Sequence, residues 1–105
     1  MSIRTPRMTQ IEAMLADDPN DPELRYFLAM EHLSAGDDAT GAAKLRDLTA
    51  SSSYVPAFLQ AGQHLNRLGQ VSEACAILRK GIEAARQQRN DHALSEMQGL
   101  LDSIE

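Results

Sequence analysis

The sequence predicts an all-α chain of about six helices, stacked as antiparallel hairpins, and two observations carry that reading. Small and apolar residues return at a fixed offset: Leu28-Ala29-x-x-His32-x-x-x-Gly36 is echoed position for position by Ala61-Gly62-x-x-Leu65-x-x-x-Gly69. The same offset carries Gly41 onto Ala74, Leu45 onto Leu78 and Leu48 onto Gly81, and a period of about 33 to 34 residues marks stacked helical repeats. Composition agrees. Aromatics are 4% of residues, with no Trp, while Ala, Leu, Gln and Glu are common, which favours helix packing over a sheet.

Each element follows from its punctuation. Thr5-Pro6 gives a hydroxyl cap and then proline at the first helical position, where the missing N–H costs nothing. The helix so opened runs to about Asp17, with Met8, Ile11 and Leu15 on one face and Met14 beside them. The prolines of Asp18-Pro19-Asn20-Asp21-Pro22 turn the chain out of it, and Asp21 caps the next helix, about 22 to 35. There Leu24, Leu28 and His32 form one stripe and Tyr26, Met30 and Leu33 another, so this helix is expected at the centre of the packing. Gly36 closes it in the left-handed conformation, and Asp37-Asp38 open a third helix, about 38 to 50, that turns Ala42, Leu45 and Leu48 inward. Its Gly41 would cost about 1 kcal/mol relative to Ala in an exposed helix, which a closely approaching neighbour offsets.

Ser51-Ser52-Ser53 interrupts the pattern. Pro56 restarts it for a fourth helix, about 56 to 68, with Phe58, Ala61, Gly62 and Leu65 as the core stripe and Gly69 at its end. The fifth, about 71 to 88, buries Ala74, Cys75, Ile77, Leu78 and Ile82 and leaves Arg79, Lys80, Arg86 and Arg89 in solvent, ending at Asn90 or Asp91. The last, about 91 to 104, carries Leu94, Met97, Leu101 and Ile104 at helical spacing. Because Leu94-Ser95 stands one full repeat after Ala61-Gly62, it imitates the first helix of a third unit.

At 105 residues beginning with Met1, the chain reads as one whole domain with a single core. Two units alone make a marginal stack, since each buries its apolar face only against neighbours. The expectation is therefore a complete right-handed six-helix stack over 1–105: an N-terminal capping helix at 6–18, one repeat at 22–54, a second at 55–88 and a C-terminal capping helix at 91–104.

A net charge of −5 argues against a nucleic-acid backbone or an anionic membrane as partner. The acidity is uneven: residues 1–53 hold 5 basic and 9 acidic side chains, residues 54–105 hold 5 and 6. Cys75 is the lone cysteine, so no internal disulfide forms, and its apolar helix position reads as a small buried hydrophobe. No apolar run long enough for a signal peptide or a bilayer span is present. A cytoplasmic protein is the economical expectation. His32, His64 and His92 stand far apart in the sequence, never at the i, i+3 or i+4 spacing that pairs imidazoles on one helix face. Asp17, Asp18, Asp21 and Glu23 lack calcium-loop spacing, and neither a glycine-flanked serine elbow nor a phosphate-cradling glycine loop occurs. The residues point to no enzyme, no cofactor and no metal.

The echoed positions resemble the tetratricopeptide repeat family, over roughly residues 22 to 88. In that family a small residue in the first helix of each hairpin lets the second cross closely, a role that the resemblance gives to Ala29 and Gly62, answered by Gly41 and Ala74. The family's large aromatic early in the first helix is matched by Phe58 in the second copy and replaced by Arg25 in the first. The resemblance implies a concave groove, lined by the first helices, that holds an extended peptide or a helix of a partner. Helical geometry puts Glu23, Tyr26, Met30 and Leu33 on one line of the second helix, and Leu59, Gln63, Asn66 and Arg67 on the matching line of the fourth. Tyr, Met and Leu with amides and one guanidinium suit a ligand with apolar anchors and backbone hydrogen bonds. The alternative for Tyr26, Met30 and Leu33 is a place in the core, and for Leu59, Gln63 and Arg67 an ordinary exposed face. Family members that grip a chaperone's C-terminal carboxylate use Lys and Asn on this line; Tyr26, Met30, Leu59 and Gln63 argue against that subclass.

The expected function is a non-catalytic adaptor that binds a protein or peptide partner. The competing expectation is self-association, as a homodimer or larger assembly, through exposed apolar area on Leu100, Leu101 and Ile104 or through the groove itself.

Overall fold

The computed structural model describes residues 4–105. Its helices are α1 (Pro6–Asp17), α2 (Pro22–Ser34), α3 (Asp38–Ser51), α4 (Val55–Arg67), α5 (Val71–Gln87) and α6 (Asp91–Ile104). Local chemistry sets most starts. Thr5 Oγ1 accepts from the Met8 amide (3.2 Å), Asp21 Oδ1 from Leu24 (3.1 Å), Asp37 Oδ1 from Thr40 (3.3 Å) and Asn90 Oδ1 from Ala93 (3.2 Å). Each satisfies an amide that the helix itself leaves orphaned. Pro6, Pro22 and Pro56 stand in the first turns of α1, α2 and α4.

Three helix ends share one turn. The Asp37 amide donates to the His32 carbonyl and Gly36 to Leu33; Gln70 and Gly69 repeat this onto Leu65 and Asn66, and Asn90 and Arg89 onto Ala85 and Arg86, all at 2.8–3.1 Å. The turn needs a left-handed residue, which glycine supplies without a Cβ clash. Gly36 (φ 87°) and Gly69 (φ 84°) meet that need, but between α5 and α6 the position is taken by Arg89 at φ 57°. Asn90 therefore opens α6, and α5 ends at Gln87, before the Asn90 or Asp91 expected to end it.

α2 with α3 and α4 with α5 form two hairpins, and α6 packs along α5 and against α4. Each hairpin closes by seating a leucine on a glycine of the opposite helix. A Cβ on Gly41 of α3 would come within 2.6 Å of the Leu33 tip from α2, and one on Gly62 of α4 within 2.5 Å of the Leu78 tip from α5. So the same contact is made with the large and small partners exchanged. The close crossing expected at Gly41 is thus present, against the Leu33 tip and the Ala29 carbonyl oxygen. At Gly62 the nearest neighbour is the Leu78 side chain.

The main core runs from α2 to α6 and includes Leu45, Leu48, Phe58, Leu65, Leu78 and Met97. Its centre is the α4–α5 pair, not α2, because α4 is packed from α3, α5 and α6. α1 is attached by a separate cluster of Met8, Ile11 and Leu28, with Leu15 beside it; Met14 stays in solvent, 55% exposed. Leu101 is buried, and Leu100 and Ile104 pack half-buried on the main core. Of the exposed apolar area expected on those three residues, that of Leu101 is covered and that of Leu100 and Ile104 is reduced.

The register of α6 departs from the repeat. The steps from Pro22 of α2 to Val55 of α4, and from Asp38 of α3 to Val71 of α5, are equal and match the period of the sequence echo. The step from Val55 of α4 to Asp91 of α6 is longer. The reason is the length of α5, 17 residues against 14 in α3, an added turn before the chain reverses. Ala61 and Leu65 of α4 therefore correspond to the buried Met97 and Leu101, while Ser95 is exposed. The pairing of Ala61-Gly62 with Leu94-Ser95 is out by that turn.

Candidate interaction groove

α2, α4 and α6 stand at the start of successive units: α2 pairs with α3, α4 with α5, and α6 packs on both α4 and α5. On α2 the expected groove line carries Glu23 (exposed) and Tyr26 and Met30 (half-buried), with Tyr26 packed against the main core. On α4 it carries Leu59 and Asn66 (half-buried) and Gln63 and Arg67 (exposed). Leu33, also half-buried, sets its branched tip over Gly41 and so serves the hairpin interior. In the shifted register of α6, His92, Glu96 and Gly99, all exposed, stand at the positions of Pro56, Gln60 and Gln63. His92 Nε2 lies 2.9 Å from Glu96 Oε1, one turn along the helix.

Tyr26 is the aromatic hub of this line. Its ring centroid is 5.4 Å from that of Tyr54, at the N-cap of α4, and 6.1 Å from that of Phe27, with the planes tilted by 57° and 56°. Such tilted pairs at about 4.5–7 Å are favourable beyond the area they bury. Sequence reasoning missed both partners. Phe27 lies one turn after Glu23 and keeps 41% of its surface exposed, a position that helical spacing could have shown. Tyr54 lies outside any helix and carried no periodic signal. Burial, and then the neighbouring Tyr54, push the Tyr26 phenol upward; burial, and then Glu23 and Asp21, do the same for Tyr54. The negative field of two carboxylates thus reaches the aromatic cluster.

The departures from the repeat have a physical basis. Phe58 fills the space over Gly81, where an added Cβ would lie 2.5 Å from the Phe58 Cβ and 2.6 Å from Met97 Sδ. In the first hairpin both positions change together: Arg25 stands for Phe58 and Leu48 for Gly81. Leu48 is buried at the position of Gly81, and the Arg25 guanidinium bonds Ser51 Oγ at 2.8 Å.

Two concave hollows lie elsewhere. One sits between α1, α2 and α3 beside Leu15, Arg25 and Lys44, the other by Ser52, Phe58 and Lys80, and neither is lined by a residue of the expected groove. Among the described residues no three His, Cys, Asp or Glu side chains gather in a way that could hold a metal ion. Cys75 is buried. Among the same residues no helix is long and apolar enough to cross a membrane.

No protein-family model matches the sequence, and no curated protein matches it. Solved structures do. The crystal structure of a tetratricopeptide repeat domain protein from Salinibacter ruber superposes with a TM-score of 0.75 at 30% identity, over 80% of this chain and 94% of that one. The chain belongs to the tetratricopeptide repeat family. A solution NMR structure of a tetratricopeptide repeat domain protein from Salinibacter ruber agrees, with a TM-score of 0.77 at 32% identity over 84% of this chain and 90% of that one. As a class, tetratricopeptide repeat domains are protein-interaction modules, typically without catalysis.

Proposed function

We propose that this tetratricopeptide repeat protein is a non-catalytic adaptor or scaffold. In this reading residues 22–54 and 55–88 are its two full repeats, α1 and α6 are its caps, and its setting is the cytoplasm. A peptide or helix of a partner protein lies across the face formed by α2, α4 and α6, with Tyr26, Phe27 and Met30 as anchors and Gln63, Asn66 and Arg67 meeting its polar groups. One observation supports this above the others: of the four aromatic residues only Phe58 is buried, while Phe27 is 41% exposed beside Tyr26, and Tyr26 and Tyr54 pack half-buried against the main core with part of each ring still in solvent. Aromatic side chains are the largest source of burial available to a small domain. Leaving aromatic surface in solvent is costly unless a partner covers it, and exposed aromatics with Met are the usual centre of an interface.

The test is selection from a displayed library of random dodecapeptides, run against the wild type and against a Tyr26→Ala/Phe27→Ala/Met30→Ala variant. Enrichment of a consensus by the wild type alone, with unchanged helicity of the variant by circular dichroism, is expected. A consensus that both proteins enrich equally, or none from the wild type, overturns the assignment.

A further inference from the structure

The chemistry of the partner at this face can be taken further, on the footing of the groove reading above. We infer that Tyr26, Phe27 and Tyr54, with Glu23 beside them, seat a cationic side chain, arginine or lysine, from a basic segment of the partner protein.

Glu23 precedes Tyr26 and Phe27 by about one helical turn, so its carboxylate shares their stretch of α2, and it is exposed. Arg25, the nearest basic residue in sequence, is engaged with Ser51. An aliphatic anchor laid over this patch would strip water from the Glu23 carboxylate and return nothing to it, a cost that burial of the rings must then overcome. A guanidinium or ammonium meets both halves of the patch. Its charge is drawn to the ring faces, and its N–H groups reach the carboxylate in a charge-assisted hydrogen bond. The tilted ring geometry suits this, because neither Phe27 nor Tyr54 is stacked flat on Tyr26.

The rest of the face favours the same sign. α6 carries Asp91, Glu96 and Asp102 and no Lys or Arg. On α4 the lone Arg or Lys is Arg67. On α3 and α5, Arg46, Arg79 and Arg86 are paired with Glu73, Glu105 and Glu83, and the remaining cations there are Lys44 and Lys80. A basic segment is thus attracted along α2, α4 and α6, and an acidic one is repelled at α2 and α6.

The test titrates the isotopically labelled protein with four blocked pentapeptides, Gly-Leu-Xaa-Leu-Gly, in which Xaa is arginine, lysine, leucine or glutamate, and follows the aromatic resonances by NMR. The arginine and lysine peptides are expected to shift the Tyr26, Phe27 and Tyr54 signals and to bind about fivefold more tightly than the leucine peptide. Glu23→Gln, an exposed change that leaves the fold in place, should remove most of that advantage, as should added salt. A leucine peptide that binds as well or better overturns the inference and leaves the groove reading standing, as does a cationic advantage that survives Glu23→Gln. If none of the four peptides moves these rings, both readings fall.

Discussion

At the scale of single residues, the two repeats differ where a histidine replaces a leucine. His32 occupies the position of Leu65 and is 5% exposed, with Nδ1 3.8 Å from Oδ2 of Asp37. Burial, and then Lys44, push its imidazole below the ordinary value of about 6.5, although Asp37 and Glu12 pull the other way. Burial and Arg67 push His64 in the same direction. Between the lowered folded-state values and about 6.5 the unfolded chain binds protons that the folded chain refuses, so stability is full above about pH 6.5 and declines as pH falls below it. Urea denaturation between about pH 7.5 and pH 5 should show this decline, and His32→Leu should flatten part of it. A stability that rises on acidification would contradict the assignment. Arg89 is a second residue-scale exception: it holds the left-handed turn position that Gly36 and Gly69 occupy elsewhere, at a cost of about 1 kcal/mol.

At the scale of elements, glycine decides how closely helices pack, and the glycines within helices do not behave alike. Gly81 lies under Phe58 and Met97; the Phe58 Cβ is fixed to its backbone and cannot swing aside. Gly81→Ala should therefore destabilise by about 2 kcal/mol, overpacking outweighing the gain in helix propensity. Gly99 sits in mid-α6 with nothing within 4 Å of where its Cβ would stand. Gly99→Ala should stabilise by about 1 kcal/mol. Chemical denaturation of both variants checks the pair, and equal signs would show that the crossing of α4, α5 and α6 at Gly81 yields to an added methyl group. The length of α5 is the other decision at this scale. Its added turn sets where α6 begins and which of its residues are buried.

At the scale of the molecule, the stack measures 37 × 28 × 19 Å with a radius of gyration of 13.7 Å, slightly above the roughly 13 Å of a compact chain of this length. Its two ends are built differently. α6 contributes Met97 and Leu101 to the main core, whereas α1 shares only the satellite cluster with Leu28. Removing residues 92–105 should uncover Phe58 and the apolar face of α5, with a large fall in melting temperature and aggregation. Removing residues 1–17 should cost far less, because the main core is left whole. Thermal melting and light scattering of the two truncated chains compare them, and equal losses would contradict a two-part core.

Most of the fold was legible because its boundaries are written locally. Thr5, Asp21 and Asp37 cap helices through their own side chains, Pro6, Pro22 and Pro56 fix entries, and Gly36 and Gly69 fix exits, all by chemistry close by in the chain. The repeated pattern of small and apolar residues then set which helices pair. What the sequence left open depended on contacts between distant residues. Tyr26 faces Tyr54 across the whole of α3, Leu33 turns its tip to Gly41 instead of to the open face, and the chain leaves α5 at Arg89, one turn later than the repeat implies. Periodicity says that a side chain lies on a given line of a helix. Whether that line is covered depends on where the neighbouring helix ends, and tertiary packing sets that.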